Sequence, residues 1–199
     1  DLAQLQSRIE TACSGLGADV KAAPILAETM RNLYDGVPLD EVYKAAILAA
    51  RTLIEKDPDY TYATARLLFH TISREVLGRD VAQADMQEAY ADYFPGFIKR
   101  GVEAELLDEK LQQFDLKRLG QALKASRDLQ FDYLGLQPLY DRYYLHEGKT
   151  RIELPQAFFM RVAMGLSLNE IDREARAIEF YEVLSSFDFM SSTPTLFNS

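Results

Sequence analysis

The sequence predicts a mainly α-helical protein with one small β-hairpin, on three observations. Apolar residues recur at helical spacing through most of the 199 residues. Several of those stretches carry proline in the first turn or glycine past the last one, the asymmetry of helix ends. Strand-forming residues flank a single turn, "EGKT".

In chain order, Leu2, Leu5, Ile9, Ala12, Cys13 and Leu16 share one helical face, with Asp1 as cap and Gly15 and Gly17 at the end. "APILAETMRNLYDG" places Pro24 in a first turn and Gly36 past the helix. The next stretch puts Leu39, Val42, Ala46, Ala49 and Leu53 on one stripe, whose alanines let a neighbouring helix approach closely. "DPDYTYATARLLFHTISREVLG" opens with Asp57 as N-cap and Pro58 at the first helical position, and closes at Gly78. Four helices with short joints make one compact unit over residues 1–78.

The polar run "RDVAQADMQ" then marks a domain boundary near residue 79, and the helix that follows is expected to be interrupted at Pro95 and Gly96. Two short helices come next, capped by Asp108 and Asp115, and then the aromatic cluster "FDYLGLQPLYDRYYL". Its continuation predicts a hairpin turning near Gly148. One helix starts at Pro155, and a last one is expected to face inward through Ile171, Ala175, Ile178 and Tyr181. The sequence closes on "FDFMSSTPTLFNS", β-forming residues and hydroxyls with no partner strand after them.

Composition excludes several classes of function. With 31 acidic against 22 basic residues the formal net charge is -9, and no block of Lys and Arg offers a footprint for nucleic acid or for anionic lipid. No apolar run approaches the ~20 residues that span a bilayer, and the first residues do not form a signal peptide. The single cysteine, Cys13, rules out an internal disulfide framework and fits a reducing cytoplasm. The expectation is a soluble, cytoplasmic protein.

No catalytic constellation is visible. Cys13 lies on an apolar helix face, the ordinary place for a small buried thiol, with no charged activator assignable beside it. His70 lacks a Glu three residues before it, so the Glu-x-x-His pair of di-iron bundles is absent, and His146 stands beside the hairpin turn. No metal site is expected. The carboxylates of "NEIDREARAIEFYE" fall opposite the apolar stripe, as on a solvated helix face. Neither "GxxxxGK[ST]" nor a strand-borne "GxGxxG" occurs. "SSTPT" offers adjacent hydroxyls that would hold a phosphate if the segment bends at Pro194, although Ser and Thr before Pro are also ordinary turn chemistry.

Taken together, "LYDGVPLDEVYKAAILAARTLIEKDPDY", "YATARLLF", "FDYLGLQPLYDRYYL", "PQAFFMRVAMGL" and "SSTPTLFNS" resemble, in order and over nearly the whole chain, the large catalytic subunit of class I ribonucleotide reductases. The resemblance implies ATP-cone helices at 1–78 with the cone's hairpin missing, a helical N-terminal domain at 79–190, and the start of the first strand of an α/β barrel at 191–199. It implies a fragment of an enzyme that reduces ribonucleoside diphosphates to deoxyribonucleoside diphosphates. Its partners would be a radical-generating, metal-containing small subunit, further copies of the large subunit, and thioredoxin or glutaredoxin. ATP, dATP and other dNTPs would be effectors of the intact enzyme, with no cofactor bound by this stretch. The competing expectation is a stand-alone helical regulatory or interaction module with a degenerate cone.

Two residues carry over. Thr193 in "SSTPT" matches the family position whose hydroxyl contacts the substrate nucleotide, and Arg74 matches a basic position that meets an effector phosphate in some relatives. The cone otherwise departs from its pattern. Ala3 and Gln4 stand where active cones have Asp or Asn followed by Lys, Leu39 where they have Thr, and Tyr43 at a polar position. The resemblance therefore implies a cone that binds neither ATP nor dATP and serves as spacer or oligomer contact. The catalytic cysteines would lie outside these residues.

Overall fold

The computed structural model describes residues 1–187. They form helices α1 (Leu2–Cys13), α2 (Ala22–Arg31), α3 (Leu39–Thr52), α4 (Tyr60–Leu77), α5 (Met86–Glu103), α6 (Leu116–Ala122), α7 (Tyr133–Pro138), α8 (Pro155–Ser167) and α9 (Arg173–Ser185), with 3-10 turns between several of them. Strands β1 (His146–Glu147) and β2 (Thr150–Arg151) pair antiparallel in the register His146 to Arg151 and Glu147 to Thr150. Gly148 turns the hairpin with a φ of 58°, a left-handed conformation that costs glycine nothing. The fold is mainly α.

The chain divides into two compact units. The first comprises Asp1–Thr71 with Leu129–Pro138, and the second begins at Ile72, runs to Asp128 and resumes at Leu139. The first core is small-residue packing: Ile9 of α1, Ile25 of α2, Ala46, Ala49 and Ala50 of α3 and Ala63 of α4 are all buried together. The alanine stripe of α3 is what lets its neighbours approach. The Tyr60 hydroxyl accepts from Lys21 N–H at 2.9 Å and reaches the Asp19 and Lys21 carbonyls at 3.3 and 3.2 Å, fixing the loop between α1 and α2. Arg66 donates from Nη1 to the Ala12 and Ser14 carbonyls at 3.2 and 2.8 Å, a cation placed on the C-terminal end of α1.

The second core is aromatic. Tyr90, Phe94, Phe97 and Ile98 of α5 are buried, and α8 is buried on every face from Pro155 to Met164. A helix buried on every face belongs inside a core, and its two long polar side chains, Gln156 and Arg161, find buried partners there. The hairpin is held at its ends, by Glu147 Oε1 accepting from Arg100 Nε at 2.5 Å and by Glu75 Oε1 accepting from Arg151 N–H at 2.9 Å.

Four expectations about boundaries and faces need correction. Pro95 does not interrupt α5, which continues to Glu103. A mid-helix proline costs about 3 kcal/mol, but burial of Phe94, Phe97 and Ile98 around it supplies roughly 1.5–3 kcal/mol for each side chain. The Ala91 carbonyl, four residues before Pro95 and deprived of its N–H, lies beside Gly120 of α6. Pro58 is not helical: Asp57 Oδ1 accepts from Asp59 N–H at 2.9 Å and holds a turn, so that α4 starts at Tyr60. Helix α2 stops at Arg31, and Gly36, with φ 81°, belongs to the loop before α3. Ile171 is fully exposed ahead of α9, whose buried residues are Ala177, Tyr181, Leu184 and Ser185, because the Asp172 cap starts the helix later and turns its inner face. Asp1, Asp108 and Asp115 cap as expected, accepting from the N–H groups of Ala3, Lys110 and Arg118 at 3.0, 2.9 and 3.1 Å.

Candidate functional site

Thr193, the substrate contact implied by the resemblance, lies outside the described residues. Helix α9 precedes it, and its last turn is clamped. Arg127 Nη1 donates to the Glu182 carbonyl at 3.1 Å and to Ser185 Oγ, while Nη2 donates to Glu182 Oε2 at 2.6 Å. Lys124 Nζ reaches Glu182 Oε1 at 2.8 Å. Burial alone would raise the Glu182 carboxyl, but the bonds from Lys124 and Arg127 hold it below its ordinary value. Phe187 follows with a φ of 63°, a left-handed conformation rare for a bulky residue, and its ring meets that of Phe159 at 6.0 Å between centroids.

Arg74 sits in the second unit with Nε 3.6 Å from Asp80 Oδ1. Ala3, Leu39 and Tyr43 belong to the first unit, where Ala3 and Leu39 are exposed and Tyr43 is buried. The Tyr43 ring lies under the Arg8 guanidinium at 5.2 Å and edge-to-face with His70 at 5.3 Å.

Cys13 is half-buried, and burial pushes its thiol up against the opposing field of the Arg66 guanidinium. The sequence offered no cation near Cys13; the fold brings one from α4, but desolvation prevails and the thiol is not activated. His146 is exposed, its Nδ1 2.9 Å from the Gly148 carbonyl. Among the described residues no group of three or more His, Cys, Asp or Glu could hold a metal ion, and no helix is long and apolar enough to cross a membrane.

Two buried polar arrangements in the second unit carry no local signature in the sequence. Glu153 and Arg161 form a bidentate pair, Nε to Oε2 at 2.6 Å and Nη2 to Oε1 at 3.1 Å, with side chains 0% and 3% exposed. Glu153 also accepts from Leu145 N–H at 3.1 Å, tying the chain before the hairpin to α8. Asp128 accepts from the Tyr90 hydroxyl and from Gln156, both buried. Only the fold brings these partners together.

Residues 129–199 match the family described as "Ribonucleotide reductase, all-alpha domain". Over 98% of its length the chain is 44% identical to the ribonucleoside-diphosphate reductase subunit alpha of Chlamydia trachomatis, covering 19% of that protein. The chain belongs to the ribonucleotide reductase large-subunit family. The subunit alpha of Helicobacter pylori is 33% identical over the whole chain, and the large subunit of Danio rerio 32% identical over 98% of it; the chain covers 24% of each. It thus spans about a fifth to a quarter of the length of these reductase subunits. The family match in residues 129–199 takes in the hairpin, α8, α9 and the segment holding Thr193.

Proposed function

We propose that this chain is the N-terminal part of the large subunit of a ribonucleoside-diphosphate reductase. The intact subunit converts ribonucleoside diphosphates to deoxyribonucleoside diphosphates in the cytoplasm, by radical chemistry begun in a separate metal-containing small subunit and with reducing equivalents from thioredoxin or glutaredoxin. The similarity to the Chlamydia subunit along virtually the whole chain carries this reading. Residues 1–78 serve as the helices of a degenerate cone, 79–190 as a helical domain that braces the catalytic barrel, and 191–199 as the opening of its first strand, with Thr193 binding the substrate diphosphate.

The first test is the intact mass of the native polypeptide and its diphosphate reductase activity with a small subunit present. A mass near the 22.6 kDa of this chain would overturn the reading in favour of a free-standing module. In the active subunit, Thr193→Ala removes one hydrogen bond to a charged group, worth ~1.5–3 kcal/mol. The expected loss in kcat/KM is roughly 10- to 150-fold, and unchanged kinetics would refute the role of Thr193.

The cone binds neither ATP nor dATP in this proposal, since Arg74 is engaged by Asp80 and Tyr43 is packed between Arg8 and His70. Calorimetric titration of the intact subunit with each nucleotide is expected to show no cone-dependent binding. Micromolar binding that Arg74→Ala abolishes would reverse that conclusion.

A further inference from the structure

Asp128 is 3% exposed, in the 3-10 turn Ala125–Gln130. Among the described residues its carboxyl meets only neutral hydrogen-bonding groups. The Tyr90 hydroxyl of α5 donates to its two oxygens at 2.9 and 3.1 Å, and Gln156 Nε2 of α8 donates at 2.8 Å. The web continues, because Gln156 N–H donates to the Tyr90 hydroxyl at 3.3 Å, and Tyr181 of α9 donates to Gln156 Oε1 at 2.6 Å while accepting from Lys124 N–H at 2.8 Å. Asp128 thus lies at the junction of α5, α8, α9 and the chain that follows α6.

Two opposing forces act on this carboxyl. The Tyr90 hydroxyl and Gln156 Nε2 both donate to an ionised carboxylate, whereas in the neutral acid the Tyr90 hydroxyl, within reach of both oxygens, is the group that accepts the carboxyl proton. Burial acts against the charge, and the nearby cations are committed elsewhere, Arg127 to Glu182 and Ser185 and Arg161 to Glu153. The other titratable groups whose fields couple to Asp128 are Tyr90, Tyr144 and Tyr181, all held protonated by burial. The Tyr144 hydroxyl is buried with no hydrogen-bond partner among the described residues.

We propose that Asp128 is a proton-operated clasp: as the neutral acid it holds α5, α8 and α9 to the turn Ala125–Gln130, and its ionisation loosens that turn and the start of α8. Burial raises the carboxyl from 3.8 to about 7, against the lowering effect of the bonds from Gln156 and Tyr90. The closed state then keeps a proton that an opened, hydrated Asp128 gives up. Stability from the clasp is complete below about pH 4, falls by a factor of ten per unit as pH rises toward 7, and levels off above it. The clasp is a property of the chain and does not depend on the reductase reading.

The test is hydrogen exchange of the amides in 125–130 and in the first turns of α8, measured in the intact polypeptide between pH 5 and 8 and corrected for intrinsic rates. The opening equilibrium is expected to rise about 50-fold from pH 5 to 7 and only about twofold more to pH 8. Asp128→Asn removes this rise and leaves the amides of α1 to α3 unchanged. Tyr90→Phe takes away a donor that favours the charged form, so the levelling-off moves to higher pH; this variant serves if Asp128→Asn does not fold. Identical pH profiles in the unsubstituted protein and a folded variant, or protection that grows as pH rises, would overturn the proposal.

Discussion

The buried Glu153–Arg161 pair supports a prediction whose size follows from its geometry. Both carboxylate oxygens meet the guanidinium, at 2.6 and 3.1 Å, in a place that excludes water from both partners. Removing either partner strands a buried charge, which costs about 3–5 kcal/mol, whereas removing both together leaves no charge to desolvate and is far less damaging. Arg161→Met and Glu153→Gln should each increase opening of α8 by two to three and a half powers of ten at pH 7, at ~1.4 kcal/mol for each power. The double variant should lose less than the sum of the singles by at least ~2 kcal/mol. The two singles also differ in pH dependence, since a stranded carboxylate is relieved by a proton and a stranded guanidinium is not. Lowering the pH should therefore rescue Arg161→Met and leave Glu153→Gln unrescued. The assay is amide exchange across α8 in the intact polypeptide, with thermal melting as a second probe. Single variants that each lose under ~1 kcal/mol, or losses that simply add in the double variant, would refute the reasoning.

Two further outcomes follow from the packing. Gly120→Ala would put a Cβ 3.2 Å from the Ala91 carbonyl oxygen and 3.3 Å from Phe94 Cβ, so α6 must move off α5; the expected loss is about 1–3 kcal/mol, read as a lower melting temperature. A melting temperature equal to that of the parent would show that the contact yields freely. Cys13, whose thiol burial raises, should be alkylated more slowly at pH 8 than a free cysteine, and Arg66→Met should slow it further in folded protein by removing the opposing positive field. Faster alkylation in that variant, with the fold intact by circular dichroism, would contradict the balance described.

Sequence alone was enough for features whose cause is local. The caps at Asp1, Asp108 and Asp115 need only a side-chain oxygen within three residues of a free N–H, and the hairpin turn needs only Gly148 between strand formers. The ordered blocks from "LYDGVPLDE" to "STPTLFNS" were enough for the family, and Thr193 is proposed through that resemblance alone. Failures came where tertiary packing overrode local preference. Pro95 reads as a break, yet the burial of Phe94, Phe97 and Ile98 carries α5 through it. Ile171 reads as part of an inner face, yet the helix begins only after the Asp172 cap.

The polar interior was not legible for a different reason. Asp128 is 38 residues from Tyr90 and 28 from Gln156, and Glu153 and Arg161 stand eight apart on either side of the Pro155 helix start, a spacing no single element makes neighbours. In the sequence each is one more charged or polar residue, for which a solvated surface is the ordinary place. Only folding removes the water around them, and that loss of solvent turns Asp128 into a group that titrates near neutrality and Glu153 and Arg161 into an inseparable pair.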